Sequence, residues 1–213
     1  MNPADYDAWY ATPRGRWIGE TEYALAVRQL APRPGDSLLD VGCGTGWFTR
    51  RAAAGDLVAT GLDPNPAWLD YARAHSSPAL AWVEGDAQHL PFADASFDHV
   101  LSIAALCFVD DERRAVAEIV RVARRRFAIG WLNRSSLLYR EKGKQGGSGA
   151  YQGARWHTVR EVRTLFSGLP VRNLTVRSAV FLPSGTFWAR LLEQGVPAGL
   201  PWGGLLVAQG DKA

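Results

Sequence analysis

Short runs of valine, leucine and isoleucine alternate with longer amphipathic stretches between Ser37 and Val207. A strand that is buried on both faces of a parallel sheet is apolar throughout, and each parallel connection needs a crossover segment, usually a helix. The alternation therefore predicts an α/β fold with a doubly wound, mainly parallel sheet of seven strands. The predicted strands are Ser37–Val41, Leu57–Leu62, Leu80–Glu84, His99–Ile103, Arg126–Trp131, Val171–Phe181 and Gly204–Gln209.

Capping signals predict helices between several of these strands. Asn65 precedes a proline, Asp111 precedes an amphipathic run, and Thr158 with Glu161 forms a capping box. The helices predicted from these signals are Pro66–Ala74, Glu112–Ala123 and Val159–Phe166. Because 213 residues suit one core, we predict a single domain over residues 1–213.

Two segments fall outside the strand and helix pattern. Residues 1–31 are dense in aromatic side chains, so we expect them to pack on the domain, either as a cap over a site or as plain hydrophobic docking. Residues 133–155 carry five glycines beside Arg140, Lys142 and Lys144. This composition predicts a mobile loop, whose basic side chains either meet an anionic acceptor or face solvent.

Charge and cysteine usage exclude several function classes. The formal net charge is +3, and the 21 arginines and 3 lysines are scattered rather than grouped in a stripe, so we predict no nucleic-acid partner. Cys43 and Cys107 lack the spacing of a zinc site or a disulfide framework, and we predict no metal. The sequence has neither a membrane span nor a signal-peptide pattern, so we expect a reducing, cytoplasmic location.

The segment Leu38–Gly46 places a buried strand before a glycine-rich turn and a helix from Trp47. Glycines at positions 42, 44 and 46 let the backbone turn sharply and let a ligand lie against it. The free amides of the helix N-terminus favour an anionic or carboxylate-bearing ligand. A nicotinamide-dinucleotide fingerprint would have its third glycine at the position of Trp47, which disfavours that cofactor. A tight turn without a ligand fits the same residues.

Further motifs follow this turn. Asp63 ends the second predicted strand about 20 residues later, where a carboxylate can accept both hydroxyls of a ribose, although an Asp-Pro turn also suits it. The chain then reads G-D-A-Q-H-L-P-F from Gly85 and S-F-D-H-V-L-S from Ser96. Together with D-V-G-C-G-T-G from Asp40, these motifs closely resemble the class I S-adenosylmethionine-dependent methyltransferases. The nearest type is the small-molecule branch (methyltransferase type 11) that includes quinone-biosynthesis enzymes, and the resemblance spans about Ser37–Trp131.

The resemblance implies a Rossmann-like fold, S-adenosylmethionine as cofactor and S-adenosylhomocysteine as product. By that resemblance Asp40 would hold the amino group of the cofactor directly or through water, Asp63 would bind the ribose hydroxyls, and Asp86 would accept from the adenine amine. The other cofactor-binding residues that it implies are Gly42, Gly44 and Gly46 beneath the methionine portion, Pro64 and Ala87 beside the adenine, and Ser102 and Ile103 near the sulfonium.

The acceptor side departs from the family pattern. Relatives often carry one or two histidines after the position of Ser102, whereas this chain has apolar residues there. The candidate general base is therefore His157, although its position just before a helix cap also suits structural packing. The predicted substrate or lid residues are Tyr6, Trp9, Tyr10 and Trp156.

The sequence therefore predicts in-line transfer of a methyl group from S-adenosylmethionine to an unidentified small-molecule acceptor. Two alternatives stay open: a protein that binds S-adenosylmethionine without transferring methyl, and a nicotinamide-dependent oxidoreductase. The sequence leaves the acceptor atom and the oligomeric state open.

Overall fold

The computed structural model describes residues 2–213, and its centre is a seven-stranded sheet. The strands are β1 (Ser37–Val41), β2 (Val58–Asp63), β3 (Ala81–Glu84), β4 (Phe97–Ile103), β5 (Ala123–Leu132), β6 (Val171–Ala179) and β7 (Leu205–Lys212). They pair in the order β3-β2-β1-β4-β5-β7-β6, in which β7 runs antiparallel to both neighbours and the other pairs are parallel. The predicted α/β, mainly parallel sheet is confirmed, and each predicted strand overlaps an observed one.

Helices cover both faces of the sheet. They are α1 (Pro3–Ala11), α2 (Pro13–Leu30), α3 (Trp47–Ala54), α4 (Pro66–Ala74), α5 (Glu112–Val122), α6 (Val159–Leu165) and α7 (Phe187–Gly195). The predicted bounds of α4 are confirmed, and α5 and α6 each end one residue before the prediction. The predicted capping box is present, because the Thr158 hydroxyl accepts from the Glu161 amide and the Glu161 carboxylate accepts from the Thr158 amide.

Helices α1 and α2 occupy the aromatic segment for which the sequence indicated packing but no helices. Each helix begins with an N-cap followed by proline. The Asn2 side chain accepts from the Asp5 amide, and the Thr12 hydroxyl accepts from the Gly15 amide. The N-terminal segment is therefore a helical hairpin.

The prediction that β6 extends to Phe181 is wrong, because the strand ends at Ala179. Val180 has a φ of 65°, which a β-strand cannot accommodate. The amides of Val180 and Phe181 leave the sheet and donate to the Glu193 carboxylate of α7, at 2.8 and 2.9 Å. This carboxylate therefore ends the strand and holds the chain against α7.

Two apolar cores lie on opposite faces of the sheet. One lies under α5 and α6, where Phe127 of β5 stacks on Phe166 with ring centroids 5.3 Å apart. The other lies under α2 and α3 and includes Leu30 and Leu38, both fully buried. Burial on both faces is the reason that the central strands are apolar throughout. Within residues 2–213, no helix is long and apolar enough to cross a membrane.

The glycine-rich segment 133–155 forms short helical turns at Tyr139–Gly143, Lys144–Gly146 and Gly149–Tyr151. Trp156, which follows the segment, packs against the rings of Tyr139 and Tyr151, with centroids 5.3 and 5.6 Å away. The mobility of this segment stays a prediction.

Candidate functional site

A cavity of about 800 Å³ opens at the carboxyl ends of β1, β2 and β4. In an open α/β sheet this is the edge at which ligands bind. The predicted site residues that line it are Gly42, Gly44, Asp63, Pro64, Asp86, Ala87, Ile103, Tyr6, Trp9 and Tyr10. Those that the structure places outside the lining are Asp40, Gly46, Ser102, Trp156 and His157. The fold thus brings together the motif residues of the strand ends and part of the N-terminal hairpin.

The glycine turn between β1 and α3 forms the floor of the cavity. Gly42 and Gly46 have φ values of 75° and 80°, a region that side chains other than glycine rarely adopt. A Cβ on Gly42 would lie 2.2 Å from the Cβ of Ala105, and one on Gly46 would lie 2.4 Å from the Trp82 ring. The packing of the protein itself therefore requires these two glycines, whereas Gly44 is exposed to the cavity.

Two carboxylates lie at the strand ends beside this turn. Asp63 accepts from the amides of Gly44 and Asn65 at 2.9 and 3.0 Å, and burial raises its pKa. One lone pair on each oxygen stays available to hydroxyl donors in the cavity. Asp40 is only 1% exposed and accepts from the Thr49 hydroxyl at 2.6 Å. Burial raises the pKa of Asp40 to about 7. The negative charge of Asp63 adds to this rise, whereas the hydrogen bond from Thr49 opposes it.

The loop that carries Asp86 is held from behind by α5. Asp86 accepts from the amide of Gln88 at 2.9 Å, and this hydrogen bond lowers the pKa of the carboxyl. The Glu118 carboxylate accepts from the Leu90 amide at 2.8 Å, and Arg121 donates to the Leu90 carbonyl at 3.1 Å. The loop therefore presents an ionised Asp86 at the cavity in a fixed position.

Aromatic side chains form the opposite side of the cavity. We name this surface the aromatic wall, and its members are Tyr6, Trp9, Tyr10, Trp47 and Trp68. Tyr10 stacks on Trp47 with centroids 4.5 Å apart, and Tyr6 meets the edge of Trp68 at 5.1 Å. The Arg50–Asp7 ion pair, at 2.9 Å, fastens α1 to α3. The wall is thus a connected surface attached to the helix that follows the glycine turn.

The geometry of this site agrees with two comparisons. Residues 39–126 match the family model described as a methyltransferase domain. A solved S-adenosylmethionine-dependent methyltransferase of Thermotoga maritima, a possible histamine N-methyltransferase, is 26% identical with a TM-score of 0.77 and covers 99% of this chain and 96% of that chain. Residues 39–126 therefore form a methyltransferase domain, and the fold is that of the class I S-adenosylmethionine-dependent methyltransferases. Members of this family take their methyl group from S-adenosylmethionine.

Two curated relatives match this chain over part of their own length. An uncharacterised protein of Mycobacterium tuberculosis is 35% identical over 193 residues, which are 85% of this chain and 62% of that protein. The malonyl-acyl-carrier-protein O-methyltransferase of Erwinia pyrifoliae is 43% identical over 94 residues, which are 43% of this chain and 36% of that protein. The chain thus spans 36% to 62% of the length of these relatives.

The cavity fits the methyl donor of the family. Thr45 lines it with a buried hydroxyl that has no hydrogen-bond partner among residues 2–213, so a polar ligand can satisfy it. Asp63 and Asp86 are spaced along the same edge at the ends of β2 and β3, where hydroxyl and amine donors of a nucleoside can reach them. Ser102 is fully buried and does not line the cavity, whereas its neighbour Ile103 does. No group of three metal-ligating side chains lies together in residues 2–213.

The candidate base His157 is held in a different place from the cavity. Its ring lies 2.7 Å from the Glu112 carboxylate, and its amide donates to the Leu132 carbonyl at 2.8 Å. The same carboxylate pairs with Arg155 at 2.7 Å, so His157 and Arg155 join the segment 133–155 to α5. Trp156 supports Tyr151 from behind, and Tyr151 itself lines the cavity. Neither Trp156 nor His157 lines the cavity.

Sequence reasoning missed one face of α2. Arg14, Ile18 and Glu22 follow one another at intervals of four and all line the cavity. The spacing was visible in the sequence, but it had no meaning until the N-terminal segment was known to be helical. Tyr151 was also missed, since nothing local distinguishes it within the glycine-rich segment.

Proposed function

We propose that this chain transfers the methyl group of S-adenosylmethionine to a small-molecule acceptor by in-line displacement. The observation that supports the proposal is that one cavity joins a glycine turn with Asp63 and Asp86 on one side to an aromatic wall on the other. The first side suits a nucleoside with an attached amino acid, and the second suits an acceptor with apolar surface. Its volume of about 800 Å³ lies within the usual range of small-molecule sites, about 300–1,000 Å³.

The cofactor roles of this chain follow from the positions of its side chains. Asp63 would accept from the ribose hydroxyls, and Asp86 would accept from the adenine amine. Gly44 has no side chain, so the methionine portion can lie against the turn. Asp40 does not line the cavity, and it would therefore act on the amino group through the turn or a water molecule.

When bound, S-adenosylmethionine supplies an electrophilic methyl carbon on a positively charged sulfur. The contribution of the protein is to align the acceptor with this carbon and to exclude water. Such alignment supplies about 7–11 kcal/mol of a barrier. The aromatic wall covers one side of the cavity and residues 148–152 cover another. Because His157 lies elsewhere, the proposal includes no histidine base.

The relatives do not identify the acceptor. One named activity is O-methylation of a malonyl group on a carrier protein, and the other is a possible N-methylation of histamine. These acceptors differ in charge and in the atom that is methylated. The acceptor class must therefore be inferred from the cavity of this chain.

Calorimetric titration with S-adenosylmethionine, S-adenosylhomocysteine and NAD tests the cofactor. We expect the two sulfur nucleosides to bind and NAD not to bind. Asp63→Asn should weaken binding about 10- to 100-fold, because one charge-assisted hydrogen-bond site is worth about 1.5–3 kcal/mol. The matched control is Asp70→Asn on α4, where Asp70 is exposed and paired with Arg73 at 2.7 Å.

Binding of NAD in preference to the sulfur nucleosides would refute the proposal. If S-adenosylmethionine binds, a second measurement distinguishes methyl transfer from binding alone: the release of S-adenosylhomocysteine when a panel of acceptors is added. Binding with no turnover on any acceptor would support the alternative in which the chain binds the cofactor without transferring methyl.

A further inference from the structure

Glu22 is the acidic side chain that α2 presents to the cavity. It stands on the same helical face as Ile18 and Arg14, which lie about one and two turns towards the helix N-terminus, and all three line the cavity. The carboxylate therefore lies on the N-terminal side of the cavity, together with the aromatic wall. The residues of the cofactor motifs lie outside α1 and α2, at the glycine turn after β1 and at the ends of β2 and β3.

The Glu22 carboxylate makes no hydrogen bond or ion pair with any of residues 2–213, although Glu22 is only partly exposed. Two other acidic side chains nearby, in contrast, have partners. Glu20 on the same helix pairs with Arg51 at 2.5 Å, and Glu193 accepts from two amides at the end of β6. A partly buried carboxyl without a partner is costly, and such groups are commonly found at binding sites.

Tyr6, Tyr10 and Tyr151 line the same cavity as Glu22. Burial raises the pKa of Tyr6, Tyr10 and Tyr151, and the negative charge of Glu22 adds to the rise in each case. The three rings therefore lie close enough to Glu22 to interact with its charge. Tyrosine faces attract cations, and this attraction strengthens when the site is desolvated.

We propose that Glu22 selects the acceptor by pairing with a protonated amine that lies against Tyr6, Tyr10 and Tyr151. The proposal rests on the proposed function, since it assigns the acceptor of that reaction to the class of small basic amines. A carboxylate among aromatic rings is a typical arrangement for binding an organic cation, and no cation of the chain already occupies this carboxylate within residues 2–213.

Binding of the amine moves one proton. Burial raises the pKa of Glu22 to about 8, and the charge of Glu193 adds to the rise, so the empty carboxyl is mainly protonated at pH 7. When an ammonium group binds, the carboxyl gives its proton to solvent and the carboxylate pairs with the cation. The titratable groups of the outer segments that line the same cavity are Tyr6 and Tyr10 of α1, Arg14 of α2, and Lys142 and Tyr151 of the segment 133–155. The charge of Glu193 of α7 also acts on Glu22.

Two cationic side chains, Arg14 and Lys142, also line the cavity, and they favour the opposite class of ligand, an anionic acceptor. Arg14 already donates to the Pro183 carbonyl at 2.5 Å, which directs its guanidinium towards the loop before α7. An anion placed beside the tyrosines would also lie next to Glu22. The cationic class is therefore the better match to this part of the cavity.

The test is calorimetry on protein saturated with S-adenosylhomocysteine, with three probes of similar shape. The probes are 2-phenylethylamine, 2-phenylethanol and 3-phenylpropanoate, which differ mainly in charge. We expect the amine to bind about tenfold more tightly than the alcohol, the effect of one charge-assisted hydrogen bond. We also expect the binding enthalpy to depend on the ionisation enthalpy of the buffer, because a proton is released.

Glu22→Gln should abolish both the amine preference and the proton release. Its affinity for S-adenosylhomocysteine should stay within about twofold, which shows that the variant is folded. Glu20→Gln is the matched control on the same helix, and it should keep the amine preference.

An amine that binds no better than the alcohol to the unsubstituted protein would overturn the role of Glu22. A preference that survives in Glu22→Gln, or tighter binding of the carboxylate probe, would overturn it as well. Failure of the unsubstituted protein to bind S-adenosylhomocysteine would instead refute the proposed function itself.

Discussion

Asp40 makes the stability of this fold depend on pH in a calculable way. In the folded chain burial raises its pKa from 3.8 to about 7, and the unfolded chain has the lower value. Between about pH 4 and pH 7 the folded state therefore holds a proton that the unfolded state has lost. The stability that the neutral carboxyl contributes is fully present below about pH 4 and is lost as the pH rises through about 7.

The size of this loss follows from the two pKa values. Their difference corresponds to about 4 kcal/mol, and local relaxation around the charge lowers the expected value to about 2–4 kcal/mol. Asp40→Asn removes the titration and keeps an oxygen that can accept from Thr49, which donates to Asp40 at 2.6 Å. The free energy of unfolding of Asp40→Asn should therefore rise by this amount relative to the unsubstituted protein between about pH 4 and pH 8.

Urea unfolding, followed by the fluorescence of the nine tryptophans, measures both proteins at each pH. Carboxyls with raised pKa values that do not interact with Asp40, such as Glu22, titrate in both proteins and cancel in the difference. A difference that stays constant within about 0.5 kcal/mol across this range would refute the argument, because it would mean that Asp40 titrates normally in the folded state.

Two further substitutions, Gly46→Ala and His157→Gln, test the packing around the site, and Gly35→Ala is the control for the first. Gly46→Ala would place a Cβ 2.4 Å from the Trp82 ring at a φ of 80° and should cost about 2–4 kcal/mol in urea unfolding. Gly35→Ala has a similar φ of 83° with nothing within 4 Å, so a loss of only about 1–2 kcal/mol is expected, and equal losses would contradict the role of Trp82. His157→Gln breaks the 2.7 Å contact with Glu112 and should cost about 1–3 kcal/mol in the same assay. Its affinity for S-adenosylhomocysteine and its methyl-transfer rate should change less than about threefold, whereas a tenfold loss of rate would return His157 to the site.

Much of the sheet could be predicted because its strands are buried on both faces. Ser37–Val41 and Pro66–Ala74 were predicted with the bounds that the structure shows, since the apolar run and the Asn65 cap are local signals. Helix α2 begins with the same type of signal, Thr12 before Pro13, so it could have been predicted too. The density of aromatic residues in the same segment indicates packing but not the type of secondary structure.

The rest depends on contacts between distant parts of the chain. The place of β7 between β5 and β6 is decided by pairing across the sheet, which no local pattern reveals. The position of His157 is set by Glu112, which lies on α5 in another part of the chain. Glu22 could not be recognised from sequence, because the property that distinguishes it is the lack of a partner among residues 2–213.

The two sides of the cavity have different origins along the chain. The side with the glycine turn comes from the span between β1 and β4, which also supplies Trp47 and Trp68 of the aromatic wall. The rest of the opposite side comes from the hairpin α1–α2 and from residues 142–152. Each outer segment is attached to the core by an ion pair, Asp7 with Arg50 and Arg155 with Glu112. Mutations can therefore accumulate in these outer segments while the cofactor motifs stay unchanged. Such a division lets acceptor choice diverge in evolution, or be exchanged by grafting segments between relatives, without rebuilding the donor side.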